Sequence, residues 1–345
     1  MMEDTRQLSE VDPEIAPLLA ALPSGPTFEP DLLNSFRKNY EENGIPAIQR
    51  KVEPDLPSSS DYTVHDHHID VGGVTVLARS IVPTPLDGED TFPLLFWIHG
   101  GGWMLGDVHL DDYQLRITSV KLRIAIVNCE YRLAPEHPFP TAVNDLTAAL
   151  KHVVSHPEKF SASLEKGFII GGQSAGGNLA AVLTSIARDD PFFKDKSLTG
   201  QLLHVPATVH YQAYPEKYKE SLLSFEQNKD APVLNQEDMI TAWKMYNGPP
   251  TDPRVSPLLL SSHQGLPPAF VQVSGLDVLR DEGILYERAL REAGVLTKLE
   301  VYPGVPHGFE GALFFYDIKQ AVKFREDTRK GLKWLLESGR RSEKP

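Results

Sequence analysis

Gly172-Gln173-Ser174-Ala175-Gly176 follows an apolar run at residues 167–170 and precedes a helical stretch at residues 178–187. This Gly-x-Ser-x-Gly pattern is typical of a sharp turn from a strand into a helix, which exposes the serine hydroxyl at the carboxyl end of the strand. Small residues surround the serine because the turn is tight and neighbouring backbone approaches closely. The pattern is short, but three further segments accompany it, and together they predict a nucleophilic serine.

The wider sequence indicates an α/β fold with a mostly parallel central sheet and helices on both faces. Short apolar segments alternate with helical patterns from residue 91 to residue 307. The predicted strands are residues 93–98, 124–128, 167–170, 269–273 and 297–302, and the predicted helices are residues 113–122, 142–152, 178–188 and 283–293. A hairpin at 62–82 with its turn at Gly72-Gly73 precedes them, and an amphipathic helix at 318–336 follows.

Two segments do not fit this alternation. Residues 1–60 contain helical stretches separated by Pro- and Ser-rich connections, and residues 209–253 form an insert rich in Tyr, Trp, Glu and Lys. Ligands of such folds bind at the carboxyl edge of the sheet. We therefore expect an N-terminal lid segment at 1–60 and a lid insert at 209–253, over a catalytic core made of residues 61–208 and 254–345.

The composition narrows the range of partners. Apolar residues make up 41% of the 345 residues and charged residues 23%, as expected of a globular protein with a large core. The 47 acidic and 34 basic residues give a formal charge of −13, which would repel nucleic acid and anionic membranes. The N-terminal stretch lacks the apolar core of a signal peptide, and no run approaches the ~18 apolar residues of a membrane span. We expect a cytoplasmic protein without stable membrane insertion.

A serine hydroxyl needs a base to remove its proton, and His307 is the best candidate among the twelve histidines. It follows the last predicted strand, on a loop stiffened by proline and loosened by glycine. From there its ring can reach a serine at the carboxyl edge of the sheet. A loop histidine that caps a turn is the alternative, and the presence of the Gly-x-Ser-x-Gly stretch favours the catalytic role.

The histidine in turn needs a carboxylate to fix its tautomer and to stabilise its protonated form. Asp277 directly follows the preceding predicted strand. Asp281 and Glu282 are nearby competitors, but they open the following helix, where acidic residues are favoured for structural reasons. The resulting chain order of serine, acid and histidine is the order found in α/β-hydrolases.

A glycine-rich loop, His99-Gly100-Gly101-Gly102-Trp103, directly follows the strand at 93–98. Attack on a carbonyl carbon places negative charge on its oxygen, which backbone N–H groups can stabilise. We expect Gly101 and Gly102 to donate from this loop and Ala175 to donate from the turn after the nucleophile. An ordinary glycine turn and a phosphate-binding loop are the alternatives, although the Gly-Lys-Ser/Thr ending of a P-loop is missing.

These segments resemble the hormone-sensitive-lipase-like branch of the α/β-hydrolase superfamily, which includes microbial, fungal and plant carboxylesterases and the plant gibberellin receptors. The resemblance covers about residues 93–309. Its most specific stretch is Glu130-Tyr131-Arg132-Leu133-Ala134-Pro135-Glu136-His137-Pro138-Phe139-Pro140. By similarity this stretch positions the catalytic loops. Members of the branch are often dimers, so the resemblance allows a homodimer.

The chain departs from the pattern of the branch at two positions. Gln173 stands where the largest subgroup has aspartate, and Val278 stands where proline is common. Neither change removes a reacting group, so we expect both to affect subgroup and specificity more than activity. The gibberellin receptors lack the catalytic histidine, so His307 favours an enzyme over a receptor.

Several other residues are candidates for a role in binding. His65 and His67 would share one face of a strand and could hold zinc, but polar residues are common on edge strands and the mechanism needs neither metal nor cofactor. The single cysteine, Cys129, is expected in buried packing, and it excludes an intrachain disulfide. The aromatic residues predicted to line the substrate pocket, with core packing as the alternative, are Trp103, Phe309, Tyr211 and Trp243.

Together these features predict a serine carboxylesterase that hydrolyses small, uncharged esters with short to medium acyl chains, the chain length being implied by the resemblance. The alternatives are a small-molecule receptor on a hydrolase scaffold, or an enzyme that uses the same site as an acyltransferase, lactonase or lipase.

Overall fold

An eight-stranded sheet forms the centre of the protein in the computed structural model, which describes residues 5–22 and 30–342. The strands are β1 (Tyr62–Asp70), β2 (Thr75–Pro83), β3 (Leu94–Ile98), β4 (Ala125–Cys129), β5 (Phe168–Gln173), β6 (Gly200–His204), β7 (Ala269–Leu276) and β8 (Thr297–Pro306). Their order across the sheet is β1-β2-β4-β3-β5-β6-β7-β8. Strand β2 pairs antiparallel with both β1 and β4, and the remaining neighbours, from β4 to β8 in the sheet order, pair parallel.

Helices cover both faces of this sheet. The described helices are α1 (Ala16–Leu19), α2 (Leu33–Asn39), α3 (Ile45–Val52), α4 (Asp112–Leu122), α5 (Thr141–Ser155), α6 (Ala175–Asp189), α7 (Ser224–Gln227), α8 (Gln236–Tyr246), α9 (Arg280–Glu292) and α10 (Lys319–Ser342). A π-helical turn at Tyr40–Gly44 joins α2 to α3. No helix in the described part of the chain is both long and apolar enough to cross a bilayer.

The alternation of side chains along β3 shows how the two apolar layers arise. Leu94, Phe96 and Ile98 belong to the larger core, which also contains apolar residues of α5, α6 and α9. Leu95 and Trp97 face the other side and pack with residues of α4 and α10. Successive residues of a strand point to opposite faces, so a continuous apolar run fits a strand covered on both sides.

The sequence-based prediction of an α/β fold with a mostly parallel sheet is confirmed. Each of the predicted strands and helices has an observed counterpart with shifted ends. The hairpin at 62–82 corresponds to β1 and β2, whose turn contains Gly72 and Gly73. Strand β6 was missed, because Gly-Gln-Leu-Leu-His has only two apolar residues and shows neither a long run nor clear alternation.

The predicted lid segments are mostly helical and attached to the core by specific contacts. Of residues 1–60, residues 1–4 and 23–29 lie outside the described part of the chain. Arg37 of α2 makes two hydrogen bonds, of 2.7 and 2.9 Å, to the carboxylate of Glu136. The insert at 209–253 lies between β6 and β7, and Asp281 Oδ2 accepts hydrogen bonds from the N–H groups of Leu223 and Ser224 at 2.8 and 2.7 Å.

Parallel pairing brings the ends of four strands to one edge of the sheet. Ile98 at the end of β3 pairs with Gly172 of β5, and Leu276 at the end of β7 pairs with Pro306 of β8. The segments that follow these strands carry the glycine loop, the serine, the aspartate and the histidine selected from the sequence. Residues separated by more than two hundred positions therefore meet at the carboxyl edge, where ligands of such sheets bind.

Candidate active site

Ser174 occupies a strained turn between β5 and α6. Its backbone angles are φ 55° and ψ −116°, a combination that ordinary L-residues rarely adopt. A Cβ atom at Gly176 would lie 2.1 Å from the carbonyl oxygen of Ile98, so only glycine lets α6 begin this close to β3. The Ser174 N–H donates to the carbonyl of His204 at 2.8 Å, which fixes the turn against β6.

His307 lies directly after β8 and connects the serine to an acid. Its Nε2 is 2.9 Å from Ser174 Oγ. Its Nδ1 is 2.7 Å from Asp277 Oδ2. Both distances are those of good hydrogen bonds. The three side chains therefore form a continuous path along which a proton can leave the hydroxyl for the imidazole.

Asp277 is held on the far side of the ring. Its Oδ1 accepts a hydrogen bond from the Leu279 N–H at 2.9 Å, and its side chain is 1% exposed. The two competing acids, Asp281 and Glu282, form hydrogen bonds with other groups. Asp281 binds the backbone at the start of α7, and Glu282 Oε1 accepts from the Thr208 N–H at 2.6 Å.

The environment of His307 shifts its proton affinity upward. Burial alone would lower the pKa of the imidazole, but the negative charge and hydrogen bond of Asp277, together with the charge of Glu310, more than offset it. The net result is a pKa above the ordinary histidine value. A ring that holds its proton more firmly is a better acceptor for the serine proton.

The glycine loop curls beside the serine. Gly101 has φ 109°, and a Cβ there would lie 2.3 Å from the carbonyl oxygen of Leu105. Trp103 also has a positive φ, 61°, so the chain turns sharply after the glycines. The ring of His99 stacks on Tyr131 with centroids 4.5 Å apart, and the Tyr131 hydroxyl donates to the His99 carbonyl. The Tyr-Arg-Leu stretch thus supports the loop, as the resemblance implies.

Ala175 is the first residue of α6, so its N–H has no partner within the helix. Ser174, Ala175, Gly101 and Gly102 all line one cavity together with His307. The three residues whose N–H groups are expected to stabilise an oxyanion therefore border a single space next to the serine.

That cavity, which we call the main cavity, has a volume of about 480 Å³ and mostly apolar walls. Both predicted lid segments contribute to it. The N-terminal segment supplies Leu22, Phe36, Tyr40, Gly44, Ala47, Ile48 and Val52, and the insert supplies Val233, Leu234, Met239 and Ala242. Residues 311–316, which follow the histidine loop, complete the wall.

The aromatic residues predicted to line the pocket have different positions. Trp103 does line the main cavity, whereas Phe309, Tyr211 and Trp243 are not among the described residues of its wall. Trp243 packs behind Trp103, with ring centroids 4.4 Å apart. The other two also pack in layers away from the cavity, Phe309 against Tyr302 and Phe324, and Tyr211 against Phe225. The apolar character of these residues reflects packing at these three positions.

The residues considered for metal binding or thiol chemistry have structural contacts. His67 Nε2 is 2.9 Å from Ser80 Oγ on the neighbouring strand, and its ring packs on Phe160. Within residues 5–22 and 30–342, no group of three or more His, Cys, Asp and Glu side chains could hold a metal ion. Cys129 is buried, and burial raises the pKa of its thiol.

Two further carboxyl groups lie near the serine and were not predicted from the sequence: Asp111, which is half-buried, and Glu310, which is buried. Asp111 lines the main cavity, and burial raises its pKa to about 6 even though the Trp97 indole donates to it at 2.8 Å. Glu310 follows His307 by three residues, and burial raises its pKa to about 7. Gln173, the departure from the branch pattern, donates to Glu310 Oε1 at 2.5 Å. The available signals were an acid in the segment between the glycine loop and α4, and an acid three residues after the histidine.

Comparison with known proteins gives the same architecture. A model of the α/β-hydrolase fold family matches residues 95–311. An AB hydrolase superfamily protein of Schizosaccharomyces pombe is 35% identical over 96% of this chain and 95% of its own length. The versiconal hemiacetal acetate esterase of Dothistroma septosporum is 35% identical over 73% of this chain and 76% of its own.

Among solved structures, vibralactone cyclase is similar over nearly the whole molecule. It shares 42% sequence identity, superimposes with a TM-score of 0.92, and each chain is covered to 98%. The similarity therefore includes the two segments above the sheet as well as the core.

Proposed function

Since the chain belongs to the hormone-sensitive-lipase-like branch of the α/β-hydrolases, we propose that it is a serine carboxylesterase whose reacting groups are Ser174, His307 and Asp277. The observation that carries this proposal is the pair of hydrogen-bond distances that join them, 2.9 Å from Ser174 Oγ to His307 Nε2 and 2.7 Å from His307 Nδ1 to Asp277 Oδ2. An enzyme that hydrolyses carboxylic esters through a serine nucleophile uses this arrangement of nucleophile, base and orienting acid.

In the first half of the reaction, Ser174 Oγ attacks the ester carbonyl carbon while its proton passes to His307 Nε2. The carbonyl oxygen becomes an oxyanion, and the N–H groups of Gly101, Gly102 and Ala175 donate to it. Asp277 stabilises the imidazolium that has formed. The bond to the alcohol oxygen then breaks, the alcohol takes the proton from His307, and an acyl-enzyme remains.

In the second half, water replaces the alcohol. His307 removes a proton from the water as its oxygen attacks the acyl carbon, and the same N–H groups stabilise the second oxyanion. The bond to Ser174 Oγ breaks and the serine recovers its proton from the imidazole. One ester and one water thus give one acid and one alcohol.

The size and the apolar wall of the main cavity support the proposal that the substrates are uncharged esters of short to medium chain length. Its volume of about 480 Å³ lies within the range of small-molecule sites, and its wall is largely apolar. We further propose that residues 1–60 and 209–253 act as the lid, because both supply side chains to the wall above the serine. Their contribution gives the acyl or alcohol group an apolar environment.

The test is hydrolysis of p-nitrophenyl esters from acetate to palmitate by the wild type and by Ser174→Ala. The proposal predicts turnover that is greatest for short to medium chains and that falls by about 10⁴-fold or more in the variant. Undiminished turnover in the variant would refute Ser174 as the nucleophile. A folded wild type that hydrolyses none of the esters would instead favour a receptor or a specialised substrate.

A second candidate, lactone formation at the same site, follows from the 42% identity and the TM-score of 0.92 to vibralactone cyclase. In such a reaction an internal hydroxyl of the acyl group, rather than water, would attack the acyl-enzyme. A lactone would form and the serine would be released. Product analysis separates the two reactions, because only hydrolysis releases free acid and alcohol in equal amounts.

A further inference from the structure

A second, smaller cavity adjoins the main cavity at Gln173, the residue before the serine, and we call it the side pocket. Its volume is about 80 Å³. It shares Asp111, Gln114, Gln173 and Gly311 with the wall of the main cavity, so the two spaces adjoin each other. Whereas the main cavity is mostly apolar, the side pocket is also lined by Glu310.

Glu310, which lines the side pocket, has an unsatisfied hydrogen-bonding atom. The residue is 6% exposed, and its Oε1 accepts the hydrogen bond from Gln173 Nε2. Its Oε2 is buried and has no hydrogen-bond partner in the described part of the protein. Burying a polar atom without a partner costs free energy, so a group that binds Oε2 would recover it.

Asp111 supplies a second carboxyl group to the same space. One of its oxygens, Oδ2, accepts from the Trp97 indole, and the side chain lines both cavities. Burial raises the pKa of Asp111 to about 6 and that of Glu310 to about 7. These raised values bring the titration of both groups closer to neutral pH, and either form of the Glu310 carboxyl can accept a hydrogen bond at Oε2, while the neutral form can also donate one.

The charged groups around the pocket argue against an ionic ligand. Arg325 and Arg329 of α10 line it, so a cation would meet two positive charges. The Arg325 guanidinium is already engaged, because it donates to the carbonyls of Glu310 and Tyr316 at 2.9 and 2.8 Å. An anion would in turn face the carboxyls of Asp111 and Glu310. A neutral group that donates and accepts fits best.

We propose that the side pocket binds a hydroxyl group carried by the ester substrate, with Glu310 Oε2 and Asp111 as its hydrogen-bond partners. The inference rests on the proposed esterase function and adds to it a substrate class, hydroxylated esters. The volume of about 80 Å³ is enough for a hydroxyl and one or two carbon atoms, since a water molecule in the liquid occupies about 30 Å³. Gln173 holds Glu310 in place from the residue next to the nucleophile.

The test compares substrates in which a methyl group is replaced by a hydroxyl of similar size. On the acyl side the pair is p-nitrophenyl 3-methylbutyrate and p-nitrophenyl 3-hydroxybutyrate. On the alcohol side the pair is propyl butyrate and 2-hydroxyethyl butyrate. The measured quantity is the ratio of kcat/KM for the hydroxylated ester to that for its methyl counterpart, which cancels any general loss of activity. The arm with the larger ratio identifies which end of the ester enters the pocket.

We expect the wild-type ratio in one arm to exceed its value in Glu310→Leu by about tenfold, the effect of one hydrogen bond to a buried group. Glu310→Gln should keep most of the preference, because an amide also donates and accepts. Asp111→Leu provides an independent variant should Glu310→Leu not fold, and it should lower the same ratio. Asp107→Asn is the matched control. Asp107 lies on the same loop as Asp111, and its carboxylate accepts a hydrogen bond from the His109 N–H at 2.7 Å. The residue lines neither cavity.

Two negative results have different meanings. Turnover of the esters with ratios that Glu310→Leu and Asp111→Leu leave unchanged would overturn the inference alone, and the side pocket would hold only water. The absence of turnover with every ester would overturn the proposed esterase and the inference with it.

Discussion

The floor and the roof of the main cavity are built in different ways. The floor, Gly101, Gly102, Ser174, Ala175 and His307, follows directly from strands that are hydrogen-bonded to one another. The roof, residues 36–52 and 233–242, consists of short helices that reach the core through side-chain contacts such as Arg37 with Glu136. Backbone pairing fixes positions more tightly than side-chain packing does. Chemistry should therefore depend on the floor and substrate choice on the roof.

The largest effect should come from removing the charge behind the histidine. Asp277→Asn preserves the size of the side chain but cannot stabilise the imidazolium, so kcat should fall by about 10⁴-fold. Steady-state kinetics with p-nitrophenyl butyrate as the substrate measures this fall in kcat. Asp281→Asn is the control, because that acid binds the backbone of the insert and does not touch His307. An equal loss in both variants would show that Asp277 acts on stability rather than on chemistry.

A change in the glycine loop should have the next largest effect. Gly101→Ala places a Cβ 2.3 Å from the Leu105 carbonyl oxygen and must displace the N–H groups beside the serine. We expect kcat to fall by about 10²- to 10³-fold, the usual loss for one oxyanion donor. Gly88→Ala is the matched control: its φ is also positive, 78°, but a Cβ there meets no atom within 4 Å. A rate for Gly101→Ala as high as that of the control would contradict the oxyanion role.

The pH dependence tests the floor without a substitution. His307 must be neutral to accept the serine proton, and its pKa is raised by Asp277 and Glu310 despite burial. Protonation therefore begins at a higher pH than for a free histidine, and kcat/KM should fall about tenfold per pH unit below a midpoint above ~6.5. A rate profile from pH 5 to 9 provides the midpoint. A flat profile, or a midpoint below the free value, would count against this assignment.

The roof should give the smallest and most selective effect. Met239→Ala shortens a side chain of the cavity wall and so enlarges the cavity, and the ratio of octanoate to acetate hydrolysis should rise by at most about tenfold while acetate hydrolysis changes little. Met245→Ala on the same helix is the control, since Met245 packs against the core and is not among the described residues of the cavity wall. Equal ratios in the two variants would remove the distinction between roof and floor.

The same distinction explains what the sequence could predict. The floor leaves local signatures, because a tight turn requires small residues around Ser174 and a curled loop requires Gly101. The roof leaves no such local signature in the sequence. An apolar residue at helical spacing, such as Met239 or Trp243, looks the same whether it faces a cavity or lies one layer behind it, and Trp243 packs behind Trp103. Asp111 and Glu310 were missed because burial, which gives them their unusual pKa, depends on residues distant in sequence.

The most direct test of the reacting serine is covalent labelling with an alkyl fluorophosphonate, followed by mass spectrometry. The phosphonyl group mimics the tetrahedral intermediate and bonds only to an activated nucleophile. We predict one adduct per chain, on Ser174, that is absent in Ser174→Ala and forms far more slowly in Asp277→Asn. No adduct on the folded wild type, or the same adduct mass in Ser174→Ala, would contradict the assignment of Ser174 as the nucleophile.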